Sequence, residues 1–161
     1  MSNPVITGIA AGAIGTAALN IATYADMVVR ARPSSSTPSQ VVGAIADKVG
    51  VQSLSNQSGA QQDESAENRK SGLGALSGYL VGLGVGAGYG LLRARVQHVP
   101  LPVSTVLLTV AAMAGSDVPI GALGVSDPRS WRASDWAADL GPHLAYGVFT
   151  ALAYDAFAAD S

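Results

Sequence analysis

The sequence predicts an all-α fold, an integral membrane bundle of four transmembrane helices, and three observations carry that prediction. Four apolar stretches, Val5 to Ala25, Ser71 to Leu92, Leu101 to Ser116 and Leu140 to Tyr154, are free of charged side chains. Charged residues make up only 12% of the chain, about half of the roughly 25% usual in soluble domains, and the mean hydropathy is +0.31. Of 161 residues 19 are glycine, and in the second apolar stretch glycine recurs at every fourth position. A helix needs about 20 residues to cross the hydrocarbon core of a bilayer. The first two stretches meet that length outright, and the last two meet it when their ends lie at headgroup depth or a neighbouring helix covers a polar residue. One membrane domain over residues 1–161 is expected, with spans at about 4–29, 71–93, 101–118 and 140–158. With 9 basic against 11 acidic residues there is no basic footprint for nucleic acid, and no such partner is expected. Cysteine is absent, which excludes disulfides, thiol catalysis and cysteine-based metal centres.

The first span opens on Asn3-Pro4, an N-cap followed by proline at the first helical position. A cleaved signal peptide would need a basic n-region and a shorter apolar run, so this stretch reads as a retained span. Its small residues Gly8, Gly12 and Thr16, with Asn20 after them, form one stripe. The segment Arg32 to Pro38 is a turn-rich exit from the membrane. Ser39 to Val51 then carries Val41, Val42, Ile45, Ala46 and Val49 at helical spacing, which predicts a short amphipathic helix lying at the bilayer surface. Residues 52–69 are rich in Ser, Gln and Asn and read as a flexible polar loop.

Gly74, Gly78, Gly82, Gly86 and Gly90 give the second span a glycine zipper, expected to pack against the Gly8 and Gly12 stripe of the first. The same glycines superficially match a dinucleotide fingerprint, but no strand precedes them and they lie inside an apolar run. In the third span Asp117 precedes Val118-Pro119, where the helix is expected to break. Trp131 and Trp136 flank Arg132 and Asp135 like an interfacial belt. Ser134 is placed to cap a short helix before Gly141-Pro142 redirects the chain into the fourth span. Seven basic residues, Arg30, Arg32, Lys48, Arg69, Lys70, Arg129 and Arg132, fall on one side of a four-span topology, and Arg93 and Arg95 on the other. Since Lys and Arg mark the cytoplasmic face, both termini are expected outside.

Candidate chemistry is sparse: no metalloprotease, P-loop or nucleophile-elbow motif occurs, and no catalytic or cofactor set is expected. His98 lies in a short loop. His143 opens the fourth span with Asp139 one turn before it, while Asp117 ends the third span and Asp26 the first. These groups, with Asn20, make up a candidate polar pocket at one membrane depth, where ionisable residues serve either as structural pairs or as a proton or small-ligand site.

The glycine-rich first span, Arg32-Pro33-Ser34-Ser35 with Thr37-Pro38, and the run Asp139-Leu-Gly-Pro-His143-Leu-Ala-Tyr146-Gly147 resemble the YagU-type family of small bacterial multi-pass inner-membrane proteins. The resemblance covers about a third of the chain, and it implies a bacterial inner-membrane location and a link to acid tolerance, hence a proton-related role. Seven arginines against two lysines, with abundant Ala, Gly and Val, look like the usage of a high-GC, actinobacterial genome. The expected function is a non-enzymatic structural or accessory subunit of a membrane complex, partnered by lipid and by other membrane subunits or itself. The alternative is a small oligomeric channel or transporter for protons or a small polar solute.

Overall fold

Asn3 begins the first helix as its side chain requires: Oδ1 accepts the backbone N–H of Val5 at 3.0 Å, and Pro4 needs no partner for the N–H it lacks. A computed structural model describes residues 3–51, 54 and 60–159 and places them in five α-helices with no strand among the described residues. These are α1 (Pro4–Arg30), α2 (Thr37–Val49), α3 (Ala60–Arg93), α4 (Leu101–Ala122) and α5 (Ala133–Ala159), with a 3-10 turn at Pro128–Ser130. Three of them, Pro4–Arg30, Glu64–Arg93 and Leu101–Ala122, are long and apolar enough to cross a membrane. The fourth long helix, α5, carries Asp135, Asp139 and Asp155 and falls outside that set.

The four long helices close into a ring. α1 packs against α3 and α5, and α4 packs against the same two from the other side. Neighbours run antiparallel, because Gly8 meets Gly86 and Gly90 while Gly12 meets Gly82, and because Gly147 of α5 meets Thr105 and Thr109 of α4. The short helix α2 is amphipathic as expected and rests mainly on α3.

Besides α2, which runs Thr37–Val49 where Ser39 to Val51 was expected, three boundaries differ from the sequence reading. Residues 60–69, expected as loop, are the first turns of α3, whereas residues 52, 53 and 55–59 of that expected loop lie outside the described residues. Ala, Gln, Glu and Lys favour helix, the Lys70 ammonium pairs with Glu67 at 3.2 Å, and Ala66 is buried, so local propensity and packing agree there. α4 passes through Asp117 and Pro119 instead of breaking. Proline costs that last turn a single N–H, the N–H of Leu123 donates to the Pro119 carbonyl at 2.9 Å, and buried Ile120 anchors the turn. α5 is one helix through Gly141 and buried Pro142, not a short helix and a restart, because it packs along α1 and α4 on both sides of the proline. Its first turn is held by Asp135, whose carboxylate accepts the Arg132 N–H at 3.0 Å, and not by the expected Ser134 cap.

Bare backbone sets the close approaches. A Cβ placed on Gly12 would lie 2.6 Å from the Gly82 carbonyl oxygen, one on Gly86 would lie 2.8 Å from the Gly12 Cα, and one on Gly90 would strike the Pro4 carbonyl. Gly74 and Gly78 do not share this contact with α1. Gly74 backs onto Pro38 of α2, and a Cβ on Gly78 would meet nothing within 4 Å among the described residues. Two further contacts were not singled out by the every-fourth-residue pattern: Gly15 against Tyr146 and Thr150, and Gly147 against the Thr105 carbonyl, where a Cβ would stand 2.6 Å away.

Inside the ring, Tyr146 crosses the axis from α5 and its hydroxyl donates to the Gly82 carbonyl of α3 at 2.6 Å. Leu108, Ser104, Thr150, Ala11 and Ala151 fill the rest of the interior. Outward stand Ile6, Ile14 and Ile21 of α1, Leu76 and Leu80 of α3, Val106 and Val110 of α4, and Leu144, Phe149 and Leu152 of α5. Several hydroxyls thus lie within, beside Leu108 and small residues, while many large apolar side chains stand outward.

Candidate functional site

Of the residues expected to share a polar pocket, Asp117, Asp139 and His143 come together in one cluster, at the end of the ring where α4 finishes and α5 begins. Asp139 and His143 are one turn apart on α5, and Ser116 and Asp117 are successive on α4. The His143 Nδ1 stands 2.8 Å from the Asp139 main-chain oxygen and 3.3 Å from its Oδ1, while Nε2 faces the Ser116 Oγ at 3.4 Å. The Ser116 hydroxyl in turn lies 3.2 Å from Asp117 Oδ1. The side chains of His143 and Asp139 are only 13% and 19% exposed, and Oδ2 of Asp139 is buried with no hydrogen-bond partner among the described residues. Proximity follows from the antiparallel register of α4 and α5, which the Thr109 hydroxyl reinforces by donating to the His143 carbonyl at 3.4 Å. No set of three or more His, Asp or Glu side chains stands in metal-holding geometry among the described residues.

Asn20 and Asp26 do not join this group. The Asn20 amide donates to the Tyr79 hydroxyl at 3.3 Å between α1 and α3. Asp26 pairs with Arg30 at 3.1 Å and with Arg32, closing the end of α1, and Arg30 reaches on to the Ser134 carbonyl at 3.4 Å. A charge one helical turn from an oppositely charged neighbour on its own helix is satisfied locally, which is why Asp26 takes no part in the α4–α5 cluster. On the connection between α4 and α5, hydrogen bonds from the Arg129 side chain and then its amide hold Asp127 below the usual carboxylate range, and Arg132 does the same for Asp135. Trp131 and Trp136 pack on one another there with ring centroids 5.2 Å apart.

A second polar cluster, at the opposite end of the ring, was not singled out from sequence. Arg93, whose side chain is 9% exposed, donates to Asp155 Oδ1 at 2.6 Å, to the Tyr89 hydroxyl at 3.0 Å and to the Gln97 carbonyl at 3.1 Å. Its guanidinium lies 4.9 Å from the ring centroid of Tyr154 and 5.7 Å from that of Tyr89. The Tyr89 hydroxyl passes the chain on to Ser104 at 2.7 Å. One sequence signal pointed there: Tyr89 stands one turn before the charge that ends the second apolar run. Its partners, Ser104 and Asp155, come from two other helices, and spacing within one helix carries no trace of them.

The ring and its two buried polar ends define an all-α protein with three helices long and apolar enough to cross a membrane. Comparison with protein-family models, with curated proteins and with solved structures finds no match to this chain.

Proposed function

We propose that the chain is a four-span bacterial inner-membrane protein with both termini outside, acting as a non-enzymatic structural or accessory subunit of a membrane complex. The observation that carries the fourth span is the outer face of α5. Leu144, Phe149 and Leu152 are exposed on one side of a helix whose other side, with Tyr146, Thr150 and Tyr154, is buried in the ring. In water those side chains would leave an apolar face uncovered, whereas lipid covers it at no cost. The three acidic residues that lower the apolar character of α5 sit towards its ends, with charge-free sequence from Leu140 to Tyr154 between Asp139 and Asp155.

The same geometry favours a structural role over conduction. Tyr146, Leu108 and Thr150 inside the ring and Ser104 towards its Arg93 end are each less than 2% exposed, so one protomer offers no polar route along its axis. The outward side of α3 leaves Gly84 and Gly88 open, where another transmembrane helix can approach closely. Native mass measurement in mild detergent, paired with ion and proton flux in reconstituted vesicles, tests this assignment. A monomer or a hetero-complex without flux is the expected result. A defined homo-oligomer that conducts protons or a small solute would replace it with the channel reading.

A further inference from the structure

We propose that Asp139, His143, Ser116 and Asp117 form a proton-binding site that latches α4 to α5. The inference rests on the four-span reading for the depth of the site.

The hydrogen-bond inventory sets the argument. His143 Nδ1 lies 2.8 Å from the main-chain oxygen of Asp139, an atom with lone pairs only, so this nitrogen carries a hydrogen and donates it. In the neutral ring the lone pair is therefore on Nε2, which faces Ser116 Oγ at 3.4 Å. Ser116 has one hydroxyl proton for several acceptors in reach: the carbonyls of Met113 at 3.0 Å and Ala112 at 3.3 Å, Asp117 Oδ1 at 3.2 Å, and that imidazole nitrogen. Asp139 Oδ2 is buried and accepts nothing among the described residues. The cluster is thus short of donors while the imidazole is neutral, in a setting where unmet acceptors are costly.

One proton from water repairs this without breaking a covalent bond. Placed on Nε2, it turns that nitrogen from acceptor to donor towards Ser116 Oγ, and the serine proton is then directed to Asp117 or to a main-chain carbonyl. The chain from α5 to α4 reverses direction and gains a donor. The resulting imidazolium stands 3.3 Å from Asp139 Oδ1 on its own helix and is linked through Ser116 to Asp117 on α4. A neutral ring leaves the Asp139 and Asp117 carboxyls of the cluster without a cation beside them, so proton uptake tightens the α4–α5 contact and proton loss loosens it.

The test uses the full chain, labelled with 15N-histidine, in lipid nanodiscs. Only two histidines contribute, and His98→Gln assigns the spectrum. Between about pH 8 and about pH 5, where an imidazole titrates, His143 is expected to pass from a ring protonated on Nδ1 alone to one protonated on both nitrogens. The melting temperature should be higher at the acidic end, and that difference should vanish in His143→Gln and persist in His98→Gln. An Nε2–H neutral tautomer, a His143 signal that does not change over this range, or a pH difference that survives His143→Gln would overturn the proposal. The spectrum of the unsubstituted protein decides the matter even if His143→Gln fails to fold. Sodium chloride added at fixed pH should leave the His143 signals in place, and a sodium-induced shift would assign the site to a metal cation instead. None of these outcomes bears on the number of spans, which labelling of the termini reads separately.

Discussion

Gly86→Leu is expected to separate α1 from α3 and to lower the melting temperature in detergent. The space for its Cβ is taken by backbone, the Gly12 Cα at 2.8 Å and the Gly8 carbonyl, and backbone cannot rotate out of the way as a side chain can. Overpacking a core costs about 1–3 kcal/mol where side chains can shift, so a loss of about 3 kcal/mol or more is expected here. Gly88→Leu is the internal control. A Cβ at Gly88 meets nothing within 4 Å among the described residues, and leucine is the better helix former by about 1 kcal/mol. Thermal melts of the two variants should therefore move in opposite directions or leave Gly88→Leu unchanged. Equal losses in both would mean that the α1–α3 approach is not what holds these helices.

Arg93→Leu is expected to be the most damaging change at the opposite end. Breaking a buried ion pair costs about 3–5 kcal/mol, but Asp155 is 45% exposed and water screens part of the interaction, so about 2 kcal/mol is the expected loss. That figure includes the stacking of the guanidinium on Tyr89 and Tyr154, which alkyl carbon cannot replace. Arg93→Lys should fall between, because an ammonium keeps the charge opposite Asp155 but not the planar fork. Melts of both variants beside Arg95→Leu, at an exposed position, check the ranking. A loss at Arg95 as large as that at Arg93 would contradict it.

Much of the backbone plan was legible because it is written in local chemistry. The Asn3 cap, the apolar run that becomes α1 and the amphipathic spacing that becomes α2 all depend on residues a turn or two apart. Gly82, Gly86 and Gly90 were readable for the same reason. Gly74 and Gly78 fit the same period but not the same contact: Gly74 backs onto Pro38 of α2, and a Cβ on Gly78 would meet nothing within 4 Å among the described residues, although Asn20 of α1 reaches the adjoining Tyr79. Gly15 and Gly147 escaped because each is defined by a tyrosine, threonine or carbonyl on another helix. That Asp117 comes to the same end of the ring as His143 could be inferred from depth, but the Ser116 hydroxyl that stands between them was not singled out. Asn20 and Asp26 shared that depth but face Tyr79 and Arg30, because depth does not specify the direction in which a helix turns a side chain. The Arg93 cluster joins three helices and was beyond the reach of any periodicity.

The central claim is that α5 spans the membrane as the fourth member of an antiparallel ring, and labelling of the termini tests it most directly. Because the chain has no cysteine, single replacements at Asn3, Ser35 and Ala159 can each be probed with a membrane-impermeant maleimide in intact cells and after lysis. Asn3→Cys and Ala159→Cys should both label in intact cells, and Ser35→Cys only once the membrane is opened. Labelling of Asn3→Cys and Ala159→Cys from opposite sides would leave three spans and contradict the account.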